Sequence, residues 1–140
     1  MARLACDKEL TMHLIQFAMD LDNAEQRFGR LDRMIQAVIM DAAAYAYSRF
    51  GKGLLVTSLD RPAGSHSNMR CVDVDVCEGA VYEGGLLPKE AEQVATHSNG
   101  SFKYDPLRPH MCVAFYGHRD ESGKHWNHIH FQAHPNTDYV

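Results

Sequence analysis

Two short runs constrain this chain more than anything else in it. CVDVDV (71–76) alternates strictly, and HIHFQ (128–132), within HWNHIHFQ (125–132), does the same with histidine as the alternating residue. A side-chain period of two is the signature of a strand with two unlike faces. In the first run Val72, Val74 and Val76 share one face, and Cys71, Asp73, Asp75 and Cys77 share the other. In the second, Ile129, Phe131 and Ala133 lie on one face, and His128, His130 and Gln132 on the other. Each strand thus offers an apolar face to a core and a face whose side chains bind metals or move protons. If the two are neighbours in one sheet, Asp73 or Asp75 can approach His128 or His130.

The rest of the chain supplies elements to cover such a sheet. Leu10, Leu14, Phe17, Ala18 and Leu21 follow helical spacing and predict an amphipathic helix over 8–28, with Asp7 as N-cap and Gly29 as stop. A second helix is expected over 31–50, burying Leu31, Ile35, Val38, Ile39, Ala42 and Ala46 and ending at Gly51 and Gly53. GLLVTS (53–58) reads as a strand and LDRPAGSHSN (59–68) as a loop. Pro88 opens a short helix over 88–98. MCVAFYGH (111–118) and HWNHIHFQ form two strand-like runs, with RDESGK between them as a hairpin connection. The fold class is α+β: one domain over 1–140, with a helical part (1–50) packed on a small, mainly antiparallel sheet (53–134) that bears the polar face.

Composition narrows the partners. A net charge of −4, with no Lys/Arg run, argues against nucleic acid. No stretch approaches the roughly 18 apolar residues of a membrane span. Asp7, Lys8 and Glu9 interrupt any signal-peptide apolar region, so synthesis and residence in a cytoplasm, without a cleaved signal, are expected. Cys6, Cys71, Cys77 and Cys112 contain no C-x-x-C pair and are expected as thiols, Cys71 as a packing residue.

Nine histidines are many for 140 residues. A lone histidine is most often a surface or satisfied core residue. A loop His66, a strand Asp73 and a strand His-x-His together form a mixed nitrogen and oxygen donor set. Catalytic zinc uses such a set: three protein ligands and one open position. Ser65, next to His66, reads as a loop hydrogen-bonder, since no Asp-His-Ser set accompanies it. Asp75 shares the face of Asp73 and reads as an orienting or rim carboxylate. His13, His97, His110, His118 and His134 have no partners at ligand spacing.

GSHSNMRCVDVDV is similar to the S-x-H-x-x-G-x-A-x-D signature of the zinc D-Ala-D-Ala carboxypeptidases. These belong to a wider group with lysostaphin-type, hedgehog-type and phage endolysin peptidase domains. HWNHIHF resembles the C-terminal H-x-H segment of that group, and LLVTSLDRP its preceding strand and turn. The resemblance spans roughly residues 35–133, much of it carried by element order alone. It implies a hedgehog or DD-peptidase-like fold, Zn2+ as cofactor, and His66, Asp73 and His130 as its ligands. It also implies His128 or His125 as the group that assists water. Arg61 would hold a substrate carboxylate, with Ser65 beside it on the substrate side. Met69 replaces the glycine of the signature, Cys71 replaces its alanine, and Asn127 stands where many members have an acidic base.

The function expected from this resemblance is zinc-dependent hydrolysis of peptide bonds in bacterial cell-wall peptides, by a carboxypeptidase or an endolysin-type endopeptidase. Peptidoglycan is the implied partner. The small size points to phage lysis or virion machinery, acting on the wall after release. The competing reading is a non-catalytic structural or partner-binding module of the same fold. A histidine-triad nucleotide hydrolase needs a third histidine two positions after His130, where Gln132 stands.

Overall fold

The computed structural model describes residues 14–60, 68–76, 85–117 and 128–140. In chain order the elements are β1 (Ile15–Phe17), α1 (Ala24–Gly29), α2 (Arg33–Phe50), β2 (Leu54–Ser58), β3 (Cys71–Asp75), α3 (Pro88–Ser101), β4 (Phe102–Lys103), β5 (Ala114–Phe115), β6 (His128–Gln132) and β7 (Asp138–Tyr139). Five strands form one sheet in the order β1-β2-β3-β6-β5. The β1–β2 pair is parallel and the other three pairs are antiparallel. A separate two-stranded ribbon pairs β4 with β7. The architecture is α+β with a mostly antiparallel sheet, as expected.

The long helix α2 ends at Gly51 as expected and begins at Arg33, two residues after the expected start. The Asp32 side chain accepts the Met34 N–H at 2.9 Å, which satisfies one of the unpaired donors of the first turn. Gly51 ends the helix in the left-handed region at φ 67, a conformation that costs glycine little. The expected stripe of Ile35, Val38, Ile39, Ala42 and Ala46 is buried, as is Ala43. It packs on the apolar face of β3 and β6, where Val72, Val74, Ile129 and Phe131 are fully buried. Each large side chain removed from water here contributes about 1.5–3 kcal/mol.

Of the described part of the helix expected over 8–28, residues 24–28 are helical and most of the rest is not. Residues 15–17 are instead β1, in register with Leu54, Leu55 and Val56, and Ala18 N–H donates to the Val56 carbonyl at 2.9 Å. Asn23 then takes a left-handed conformation (φ 52) and interrupts the helical path before the short α1. The N-terminal part therefore contributes an edge strand to the sheet as well as helices.

At the opposite edge, α3 guards β5. The Lys52 ammonium reaches the Glu90 carboxylate at 2.7 Å and the Gly85 carbonyl at 3.2 Å, which ties the start of α3 to the end of α2. Further along the helix, the Asn99 carboxamide sits on β5 as a neighbouring strand would. Its Nδ2–H donates to the Ala114 carbonyl at 2.9 Å, and its Oδ1 accepts from the N–H groups of Ala114 (2.9 Å) and Val113 (3.0 Å). Ala114 thus has its outward backbone groups satisfied, which blunts an exposed edge. No helix of the described residues is long and apolar enough to cross a membrane.

Candidate functional site

The antiparallel register of β3 and β6 sets the site. Cys71 faces Gln132, Val72 faces Phe131, Asp73 faces His130, Val74 faces Ile129, and Asp75 faces His128. The valines, Ile129 and Phe131 go to the core, so the acids and histidines meet on the other face of the sheet. Of the four Asp–His combinations open to the sequence, this register selects Asp73 with His130 and Asp75 with His128 as direct cross-strand neighbours.

Asp73 and His130 are in contact. The His130 Nδ1 lies 2.9 Å from the Asp73 Oδ1, and their side chains retain 16% and 12% of their exposure, respectively. With a proton on Nδ1 the imidazole donates to the carboxylate and keeps the Nε2 lone pair for another partner. β2 flanks the aspartate, since Ser58 is its register partner and the Thr57 hydroxyl donates to its carbonyl at 3.5 Å. β5 flanks the histidine, since Phe115 is its register partner and the two rings are 6.1 Å apart at 40°. Burial pushes the Asp75 carboxyl above the ordinary carboxylate range.

The donor set fits a divalent ion. Two atoms about 2.1 Å from a tetrahedral zinc stand about 3.4 Å apart. The observed 2.9 Å separation reaches that value by opening about half an ångström, with loss of the Nδ1 proton. Among the described residues no group of three or more His, Cys, Asp or Glu side chains converges as a complete metal site. His66, the third expected ligand, lies outside the described residues, as do Arg61, Ser65 and His125.

The turn that feeds β3 carries a further observation. Met69 has φ 62, in the left-handed region. It stands where the sequence resemblance would place a glycine. A non-glycine residue pays about 1–2 kcal/mol there, and its surroundings hold it. The Met69 carbonyl accepts from Asp32 N–H at 3.0 Å, and Arg70 N–H donates to the Asn68 side chain at 2.9 Å.

Two further histidines of the described residues lie elsewhere. His97 pairs with Asp41 between α2 and α3, and His134 meets the Arg108 guanidinium at 2.9 Å. Cys71 is buried on the site's face, opposite Gln132, and burial raises the Cys112 thiol. Phe115 is the neighbour that sequence reasoning missed. Its signal was the run MCVAFYGH, but a face can be assigned only once the partner strand's register is known. The hairpin connection expected at RDESGK (119–124) lies outside the described residues. Comparison of the chain with protein-family models, curated proteins and solved structures gives no match.

Proposed function

We propose that this chain is a zinc-dependent peptidase that hydrolyses peptide bonds in bacterial cell-wall peptides, with His66, Asp73 and His130 holding the metal. The observation that carries the reading is the cross-strand contact of Asp73 with His130. These are the two strand residues that the resemblance assigns as ligands, and they meet on a sheet face whose other side is core. The left-handed backbone at Met69 agrees with it, since the turn keeps a glycine-like conformation without the glycine.

Zinc, when bound, supplies Lewis-acid polarisation and lowers the pKa of water to about 7. The chain's own residues do the rest. His128, on the same face as His130, accepts the proton of the attacking water at a ring nitrogen and returns it to the leaving amine, with Asp75 opposite it. His125 is the alternative for that proton. Arg61 grips the substrate carboxylate, and Ser65 lies on the substrate side.

The same 2.9 Å contact also supports a second reading, a non-catalytic structural or virion- and partner-binding module, because it satisfies both side chains without a metal. Wall-peptide cleavage by the zinc-loaded protein, with and without a chelator, separates the two. Cleavage that a chelator abolishes and zinc restores is the expected result. A folded protein that binds no zinc and cleaves nothing supports the module.

A further inference from the structure

A groove of about 320 Å3 runs between α3 and the outer edge of β5, beside the site described above. Ala95, Ala114, Phe115 and Tyr116 give it an apolar floor, with Thr96 and Glu92 on the helix side. Among the described residues, no lysine, arginine or histidine lines it. Phe115 belongs to both places, since its ring lies against His130 and also walls the groove. The Glu92 carboxylate has no hydrogen bond or ion pair with a described residue, whereas Glu90, two positions earlier, is taken by Lys52. Asn99 already occupies the outward backbone groups of Ala114, so an occupant enters with a side chain rather than by adding a strand.

We propose that this groove is a substrate subsite for an aliphatic side chain ending in a protonated amine, with Phe115 as its wall and Glu92 as its charge partner. An apolar floor suits the methylene stem, and a carboxylate that pairs with no described lysine or arginine suits the ammonium head. The inference rests on the peptidase reading for its substrate class: a peptide carrying a lysine-like residue near the cleaved bond.

The test measures binding of Nα-acetyl-L-Lys-D-Ala-D-Ala and of its norleucine counterpart to the full chain by calorimetry, while cleavage of both is followed separately. The lysine peptide is expected to bind about fivefold more tightly, the upper range for an exposed ion pair. Glu92→Gln should bring the two peptides to parity, and acetylating the lysine amine should do the same. Equal binding to the unaltered chain, a preference that survives Glu92→Gln, or no binding of either peptide overturns the subsite. Cleavage reports on the peptidase reading alone. A lysine preference in binding without cleavage upholds the subsite and overturns the peptidase, and cleavage without a preference does the reverse.

Discussion

Among the described residues two histidine–aspartate pairs stand at the same 2.9 Å separation, and their settings differ. His130 and Asp73 stand on adjacent strands, keep 16% and 12% of their exposure, and are flanked by Phe115 on one side and β2 on the other. His97 and Asp41 stand on two helices and keep 30% and 41%. The His97 ring stacks on Tyr45 at 4.0 Å and 10°. Strand pairing fixes the first pair at both backbones and places the same chemistry, Asp75 and His128, one step away. The second pair decorates a contact between two helices. A short distance between imidazole and carboxylate does not make a site. The surrounding frame and the repetition of donors around it do.

The largest expected difference lies in metal binding and cleavage. Asp73→Ala or His130→Ala should lower both by at least about 100-fold, because each removes a proposed ligand and strands its partner. Asp41→Ala and His97→Ala should leave both within about twofold, read by zinc titration and peptide assay. Equal losses in the two sets would break the comparison.

Stability should divide the residues of α3 in the same way. Asn99→Ala removes three hydrogen bonds from the β5 edge and should cost about 2–3 kcal/mol. Thermal unfolding should register this as a fall of several degrees. His97→Ala, two residues earlier on the same helix, should cost about 1 kcal/mol or less, since its ion pair is largely exposed.

A third acidic cluster sharpens the comparison through pH. The Leu107 N–H and the Arg108 side chain hold the Asp105 carboxyl below the ordinary carboxylate range. The folded state therefore gives up this proton at lower pH than the unfolded chain does. Its stabilisation is present above the unfolded value, about 3.9, and is lost as pH falls through the folded one. Asp105→Asn should flatten the acid limb of a stability–pH curve measured by urea unfolding.

The smallest effect concerns Met69. Met69→Gly relieves the left-handed backbone but gives up partial packing, so stability should change by less than about 1 kcal/mol. Met69→Val, β-branched at the same φ, should lower it by more. Urea midpoints of the two variants check this.

Local patterns made the centre of the fold legible. Gly51 and the apolar stripe before it state the body and end of α2, and the alternation of 71–76 and 128–132 assigns the faces of β3 and β6. Whether Asp73 meets His130 or His128 depends on strand register, which is a property of two distant segments. β1 was illegible for a related reason. Leu14, Phe17, Ala18 and Leu21 follow helical spacing, and only pairing with Leu54–Val56 makes 15–17 a strand. MCVAFYGH contributes only Ala114–Phe115 as a strand, and the partner that caps its edge, Asn99, comes from another element. Nothing in the side chain of Met69 announces a left-handed backbone.

The central claim is that the Asp73–His130 contact is two-thirds of a metal centre. Zinc content of the purified, zinc-reconstituted chain tests it most directly, measured beside His130→Ala and His97→Ala. The account predicts about one zinc per chain, lost in His130→Ala and kept in His97→Ala. A folded chain that takes up no zinc, or a His130→Ala variant that keeps it, would contradict the account.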